Sequence, residues 1–211
     1  AYADSTPMIA LTGQVGTGSL GLGAFQEVDA YSLLMPITKH NFRVLDVDRL
    51  PHAVDEAWQI CQIGRPGPVH IDLPSDQMNS EIDEDLLGQT YGVKHPREDM
   101  SEIGTAVQWI KESQKPVLLV GGGTINANAS EEVIRLAEMI SAPAVFTLMG
   151  IGAMPTTHPL NLGPLGMHGR LCALDTFKNA DLVIAIGTKF SDRTFSVHTR
   201  FSNKCRVIQI D

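Results

Sequence analysis

The residues best suited to chemistry lie in three short segments near the start of the chain. Phe25 and Gln26 end a glycine-rich stretch, Lys39 and His40 follow an apolar run, and Arg65 lies in a Gly-Arg-Pro-Gly-Pro turn. A glutamine amide can donate a hydrogen bond to an oxygen atom without transferring a proton, which favours stabilisation of developing charge. An aromatic wall lowers local polarity, and a planar guanidinium suits a pair of oxygens such as those of a pyrophosphate. These residue types are therefore candidates for binding a polar or anionic ligand.

Each of these residues also has a structural interpretation. The glycines from Gly13 to Gly23 permit positive φ and close approach of a ligand, but composition alone favours a surface loop. Phe25 could pack in a core, His40 could be solvated or a satisfied buried histidine, and Arg65 could be a turn residue that faces water. The residue types alone leave these alternatives open.

Composition excludes several classes of protein. The 211 residues carry a net charge of −8, and the clustered Lys and Arg that bind nucleic acid or anionic membranes are absent. Apolar runs have the length of strands, short of the roughly 20 residues that a membrane helix requires. The three cysteines lie far apart and the seven histidines lack paired spacing, so neither a disulfide framework nor a metal site is predicted. A cytoplasmic protein fits these features.

The apolar pattern predicts an α/β fold with parallel, doubly wound sheets. Apolar runs over 8–12 and 68–73 indicate buried strands on either side of a helix over 48–60. A polar stretch over 79–100 has no periodicity and indicates a linker. Beyond it helices and strands alternate, which predicts a Rossmann-like domain. Its predicted helices cover 101–112, 130–141 and 169–179, and its predicted strands cover 116–120, 143–148, 181–186 and 205–210.

A glycine cluster closes the first strand of this second region. Gly121, Gly122 and Gly123 follow Val117–Val120 and precede a helix, where backbone N–H groups could bind a pyrophosphate. The spacing is not that of the NAD fingerprint, and the next strand ends in Thr147-Leu148-Met149 without an acidic residue for a ribose. Ordinary NAD binding is therefore disfavoured.

The order of these segments resembles one group of enzymes. Gly-Ala-Phe-Gln-Glu at 23–27, Ile-Thr-Lys-His-Asn at 37–41 and Gly-Arg-Pro-Gly-Pro at 64–68 are followed by Thr-Leu-Met-Gly-Ile-Gly-Ala-Met-Pro at 147–155 and Leu-Gly-Met-His-Gly at 165–169. Together they resemble the thiamine-diphosphate-dependent 2-keto acid enzymes, most closely the acetohydroxyacid (acetolactate) synthase large subunit. The resemblance implies a fragment: 1–78 as the C-terminal part of a pyrimidine-binding domain, 79–100 as a linker and 101–211 as the central domain.

The resemblance implies an activity for the parent enzyme. Pyruvate is decarboxylated and its hydroxyethyl unit is ligated to a second 2-keto acid, in branched-chain amino acid biosynthesis. Thiamine diphosphate and Mg²⁺ are held mostly outside this segment, so the segment alone is expected to be inactive. FAD is a further expected cofactor. Expected partners are the 2-keto acid substrates, further copies in a dimer or tetramer, and a regulatory small subunit, with no nucleic acid or membrane.

The resemblance also assigns site residues. Phe25 and Gln26 are the catalytic pair, which shapes the acceptor site. The cofactor-binding residues carried over are Arg65, Gly121, Gly122, Gly123, Thr147, Leu148, Met149, Gly166, Met167, His168, Gly187, Lys189, Asp192, Arg193 and Asp211. Lys189 and Ser191 replace an arginine and an aspartate of the family pattern, which weakens the expected FAD contact. Gly16, Thr17 and Gly18 replace a proline and basic residues, and Ser75 replaces a lysine.

Two alternatives remain. A sibling of the same group, such as glyoxylate carboligase or sulfoacetaldehyde acetyltransferase, shares the early motifs but uses another donor or acceptor. A non-catalytic nucleotide-binding module built on 101–211 is the alternative from a different class.

Overall fold

A computed structural model of the chain describes residues 1–89, 92–93, 99–191, 194 and 202–211. The chain forms two compact units, Ala1–Glu98 and Asp99–Asp211. In both units parallel strands are connected through helices, which confirms the α/β class that the sequence predicts. The assignment of 1–78, 79–100 and 101–211 to separate functional domains stays a prediction.

The first unit contains a three-stranded parallel sheet of order β1-β3-β2. Its strands are β1 (Met8–Gln14), β2 (His40–Arg43) and β3 (Pro68–Pro74), and its helices are α1 (Ala30–Leu34), α2 (Leu50–Gln62) and α3 (Ser75–Met78). The two strands predicted over 8–12 and 68–73 are confirmed as β1 and β3, and the helix predicted between them is confirmed as α2. The sequence does not predict β2, because three of its four residues are polar.

The central strand β3 has two chemically different faces. Val69 and Ile71 are fully buried in a cluster with Ala53, Ala57 and Cys61, which recur every four residues along α2. Successive side chains of a strand alternate between faces, so the intervening polar residues of β3 lie on the face away from α2. One face of this sheet therefore packs in an apolar core, and the other face is polar.

The second unit contains a five-stranded parallel sheet of order β6-β5-β4-β7-β8. Its strands are β4 (Pro116–Val120), β5 (Ala144–Phe146), β6 (Asn161–Pro164), β7 (Leu182–Ile186) and β8 (Arg206–Ile210). Its helices are α4 (Ile103–Glu112), α5 (Gly122–Asn126), α6 (Ser130–Met139) and α7 (Leu171–Lys178). The chain moves outward from β4 to β6 and then returns to β7 on the other side of β4, so the sheet is doubly wound as predicted.

Both faces of this sheet are buried. Leu118 and Ile184 belong to one apolar cluster, and Leu119 and Val183 belong to a second cluster. The strand order reverses between β4 and β7, and the carboxyl ends at such a reversal are where open α/β sheets bind ligands. The glycine cluster after β4 therefore lies at the topological switch point.

Some predicted boundaries in the second unit are wrong. The strand predicted over 143–148 ends at Phe146, because the Thr147 side chain accepts a hydrogen bond from the Gly150 N–H and begins the 3-10 helix Leu148–Gly150. The helix predicted to reach residue 141 ends at Met139. The strand β6 and the short helix α5 are not predicted, since glycine interrupts the apolar pattern of both.

Candidate functional site

The glycine-rich loop after β1 is held against α3, the short helix that follows β3. The Thr17 N–H donates to Asp76 Oδ1 at 3.0 Å, and the Thr17 hydroxyl donates to Oδ2 of the same carboxylate. These hydrogen bonds lower the pKa of the Asp76 carboxyl, led by the bond from the Thr17 side chain. The segments that follow the carboxyl ends of β1 and β3 are thereby connected to each other.

The second half of this loop presents Phe25 and Gln26 to solvent. Phe25 is 89% exposed, so core packing does not explain it. Gln26 has φ +63°, a left-handed conformation that is uncommon for a residue with a side chain. Gly21 and Gly23 share the positive sign of φ, which glycine adopts without strain. The loop is therefore tightly folded, and its two predicted catalytic residues point away from the core.

The Glu27 carboxylate closes this loop. One oxygen accepts the Gly21 N–H and the other accepts the Ala24 N–H at 3.0 Å. The Glu27 N–H donates to the Ala24 carbonyl at 2.9 Å. The hydrogen bonds from Gly21 and Ala24 favour the charged form and so lower the pKa of the Glu27 carboxyl.

A buried carboxylate anchors the residues that follow the loop. Asp72 is fully buried on the polar face of β3, and its Oδ2 accepts from Arg43 Nε at 3.1 Å. The same guanidinium donates to Asp29 Oδ1 at 2.6 Å, at the start of α1. Gln14 Nε2 donates to the Val28 carbonyl at 2.6 Å. Residues 28 and 29 are thus fixed to the sheet directly behind the exposed pair.

A histidine next to Asp72 is part of the same polar face. His70 is fully buried, its Nε2 lies 2.8 Å from Thr12 Oγ1, and its Nδ1 lies 3.1 Å from the Asn41 side chain. The Thr12 hydroxyl also donates to Asp72 Oδ1 at 2.9 Å, which connects the histidine to the buried carboxylate. Burial lowers the pKa of His70, which keeps the ring neutral. This buried histidine is a structural residue of the network.

The basic residues of the other two motifs have structural partners. Lys39 Nζ donates to the carbonyls of Ile60 and Ile63 at the end of α2, and burial lowers its pKa. Arg65 Nε donates to Ser5 Oγ at 2.8 Å, and its guanidinium also donates to the Tyr2 carbonyl at 3.1 Å. The predicted flavin contact of Arg65 stays a prediction.

The glycines at the switch point of the second unit bring three loops into contact. A Cβ built on Gly121 lies 2.1 Å from the Gly187 carbonyl oxygen, and one built on Gly122 lies 2.9 Å from the Met149 Cβ. A Cβ built on Gly123 lies 2.7 Å from the Gly187 Cα. Four of the predicted cofactor-binding glycines, with Met149, therefore converge at one place. Their small size is required for protein packing, whether or not a ligand binds.

Most backbone donors of this glycine cluster are already used. The Gly121 N–H donates to the Ile186 carbonyl at 2.9 Å, the Gly123 N–H to the Gly187 carbonyl at 2.8 Å, and the Thr124 N–H to the Gly121 carbonyl at 3.2 Å. The helix that begins here, α5, is only five residues long. The expected pyrophosphate cradle of free N–H groups therefore has a weaker physical basis than the sequence suggests.

The remaining predicted residues differ in their exposure and in their position in the fold. Leu148, Met149 and Met167 are 78%, 62% and 66% exposed, and His168 is also exposed. Thr147 is nearly buried and caps the following 3-10 helix. Gly166 has φ +116°, while Lys189 and Asp211 follow β7 and β8. Asp192 and Arg193 lie outside the described residues.

Sequence reasoning misses three residues that shape the site: Gln14, Glu27 and Asp72. The alternation of His70 and Asp72 within an apolar strand could have indicated a polar face. Nothing in the local sequence indicates the contacts of Glu27.

In the part of the chain that the structure describes, no group of three or more His, Cys, Asp or Glu side chains could hold a metal ion. Over the same residues, every helix is too short or too polar to cross a membrane.

Comparison with known proteins identifies the family to which this fold belongs. Residues 103–211 match the central domain of thiamine pyrophosphate enzymes, so the chain belongs to the thiamine pyrophosphate enzyme family. The whole chain is 47% identical to a probable acetolactate synthase large subunit of Methanocaldococcus jannaschii and 44% identical to the acetolactate synthase large subunit of Corynebacterium glutamicum. It is 40% identical to the acetolactate synthase isozyme 1 large subunit of Escherichia coli. The chain covers 37%, 34% and 37% of these three relatives.

Proposed function

We propose that this chain is part of an acetolactate synthase, which decarboxylates pyruvate and adds the resulting two-carbon unit to a second 2-keto acid. The observation that carries the proposal is the similarity of the whole chain to acetolactate synthase large subunits at 40–47% identity. The ordered loop that exposes Phe25 and Gln26 supports it, since the resemblance assigns these residues to the acceptor site.

The two exposed residues have different roles in this proposal. Thiamine diphosphate, when bound, would supply the nucleophilic carbon to which pyruvate adds before pyruvate loses its carboxylate as carbon dioxide. The Gln26 amide donates a hydrogen bond to the keto oxygen of the acceptor, where negative charge develops as the new carbon–carbon bond forms. The Phe25 ring provides an apolar wall that excludes water from this reaction.

The described residues fit FAD only in part. Exposed Leu148 and Met149 offer apolar surface to a planar ring, whereas the N–H groups of Gly121 and Gly123 are not available to a diphosphate. We therefore propose FAD as a structural ligand without a role in the reaction. Mg²⁺ and thiamine diphosphate are proposed to bind chiefly to parts of the protein outside this chain.

The proposal also covers location, pathway, assembly and domain boundaries. The protein is proposed to act in the cytoplasm in branched-chain amino acid biosynthesis, as a homo-oligomer with a regulatory small subunit. Residues 1–78 are proposed to belong to a pyrimidine-binding domain, with 79–100 as its linker to the central domain over 101–211. Size-exclusion chromatography with light scattering on the complete protein tests the oligomer.

Acceptor screening distinguishes this function from its siblings. The complete protein, supplied with thiamine diphosphate and Mg²⁺, is offered pyruvate, 2-oxobutyrate, glyoxylate or sulfoacetaldehyde with phosphate. Acetolactate and acetohydroxybutyrate as the main products support the proposal. Preferential condensation of glyoxylate, or formation of acetyl phosphate, assigns the chain to a sibling instead.

Replacing Gln26 is expected to impair carboligation more than decarboxylation. Gln26→Gly removes the amide while it accommodates φ +63°. Loss of one donor to the developing oxyanion is expected to lower acetolactate formation about 100-fold, while carbon dioxide release falls much less, because the two-carbon unit then leaves as acetaldehyde. Product analysis by gas chromatography measures both. Gln62→Ala, at an exposed glutamine on α2, is the control, and equal loss of both activities in Gln26→Gly would contradict the assigned role.

A further inference from the structure

The loop that carries the proposed acceptor residues is fixed at both of its ends. Its start is tied to α3 through the contact between Thr17 and Asp76. Its end is tied to the sheet where Gln14 binds the Val28 carbonyl and Arg43 binds Asp29. Neither anchor contacts the residues between Gly21 and Glu27, so a separate interaction must order the tip of the loop.

The Glu27 side chain supplies that interaction. Its two oxygens accept different backbone N–H groups, those of Gly21 and Ala24, which lie six and three residues earlier in the chain. Phe25 and Gln26 lie between Ala24 and Glu27, and the backbone bond from the Glu27 N–H to the Ala24 carbonyl spans the pair. The carboxylate thus closes a ring of backbone that includes both exposed residues.

The backbone conformation explains why such a clamp is required. Gln26 occupies the left-handed region at φ +63°, which is unfavourable for a residue with a Cβ unless its surroundings impose it. Phe25 is 89% exposed and gains no packing that could hold it in place. Among the described residues, the hydrogen bonds of Glu27 to Gly21 and Ala24 hold the turn that contains Phe25 and Gln26.

We propose that Glu27 is a positioning residue, which sets acceptor preference by holding Phe25 and Gln26 in the orientation that meets the second 2-keto acid. This inference rests on the proposed function. Glu27 acts through the backbone of the loop and does not itself contact the acceptor.

The chemistry of the clamp requires a carboxylate of this length. A glutamine offers one acceptor oxygen and one NH₂ group, so one of the two N–H groups would face a donor instead of an acceptor. An aspartate is one methylene shorter and cannot span both N–H groups. Glu27→Gln therefore replaces one carboxylate oxygen by an NH₂ group while it keeps the size and shape of glutamate.

The test compares Glu27→Gln with Glu81→Gln in the complete protein. Glu81 is an exposed glutamate of the same unit whose side chain has no hydrogen bond or ion pair among the described residues. Hydrogen exchange of peptides over 20–28 reports the order of the loop. Competition between pyruvate and 2-oxobutyrate reports acceptor preference, and carbon dioxide release reports the donor half of the reaction.

Glu27→Gln is expected to exchange about tenfold faster over 20–28, because a charge-assisted hydrogen bond is lost. The KM for the acceptor is expected to rise and the product ratio to shift by a similar factor, while carbon dioxide release stays near that of Glu81→Gln. Unchanged exchange, or faster exchange with an unchanged product ratio, overturns the inference. If the unsubstituted protein forms no acetolactate, the proposed function fails, and with it the role of Glu27 in acceptor choice. Exchange over 20–28 then still decides whether Glu27 orders the loop.

Discussion

Replacing Gly187 by alanine is expected to unfold the second unit under conditions in which the unchanged chain is folded. A Cβ at this position lies 2.3 Å from the Thr124 nitrogen and 2.6 Å from the Gly123 carbonyl carbon. Both are backbone atoms at the switch point and cannot move without disrupting the contact between β4 and β7. The residue also has φ +57°, which adds strain for any side chain. The free energy of unfolding is expected to fall by about 3–5 kcal/mol.

The fluorescence of Trp109 during urea unfolding measures this loss. The chain has two tryptophans, Trp58 in the first unit and Trp109 on α4 in the second, so Trp58→Phe makes the signal specific. The control is Gly104→Ala on α4, where the added Cβ has nothing within 4 Å. It is expected to raise the stability by about 0.5–1 kcal/mol. Equal midpoints for Gly187→Ala and the unchanged chain would contradict the packing at the switch point.

Replacing Asp72 by asparagine is expected to destabilise the first unit. The carboxylate is fully buried and accepts from Arg43, Thr12 and Gln14, with distances of 3.1, 2.9 and 3.4 Å. Asparagine retains one acceptor oxygen and places an NH₂ group among donors. Arg43 keeps its exposed partner Asp29, which limits the loss. The expected decrease in the free energy of unfolding is about 2–3 kcal/mol.

Hydrogen exchange over 68–74 reports this change at β3. The Asp72→Asn chain is expected to exchange faster there and over 26–29, since Arg43 no longer holds Asp29 as firmly. Peptides of the second unit are expected to keep their rates. Asp85→Asn, at an exposed aspartate in the same unit, is the matched control. Protection of β3 that equals that of the control would show that Asp72 does not anchor this face.

The sequence predicts the fold well where apolar periodicity is strong. The buried strands β3, β4 and β7 and the amphipathic helix α2 follow directly from it. It fails at β2, where polar residues of a mixed face interrupt the pattern. His70 and Asp72 lie in a strand that resembles a fully apolar one, so their shared polar face becomes evident only from the register of β1, β2 and β3.

The candidate site is predictable in its residue types and less so in its geometry. The sequence places Phe25 and Gln26 at the end of a glycine-rich loop, and the structure shows both residues exposed there. The hydrogen bonds of Glu27 depend on three positive φ angles, which residue type alone does not determine. The glycines at 121–123 and 187 suggest a ligand cradle, whereas in the structure they pack loop against loop.

Acetolactate formation by the complete protein tests the central claim most directly. The protein is incubated with pyruvate, thiamine diphosphate and Mg²⁺, and acetolactate is measured after its conversion to acetoin. We expect pyruvate to yield acetolactate at roughly 1–100 turnovers per second, with one carbon dioxide released for each acetolactate formed. Carbon dioxide release without acetolactate, or no consumption of pyruvate, would contradict the assignment of this chain to an acetolactate synthase.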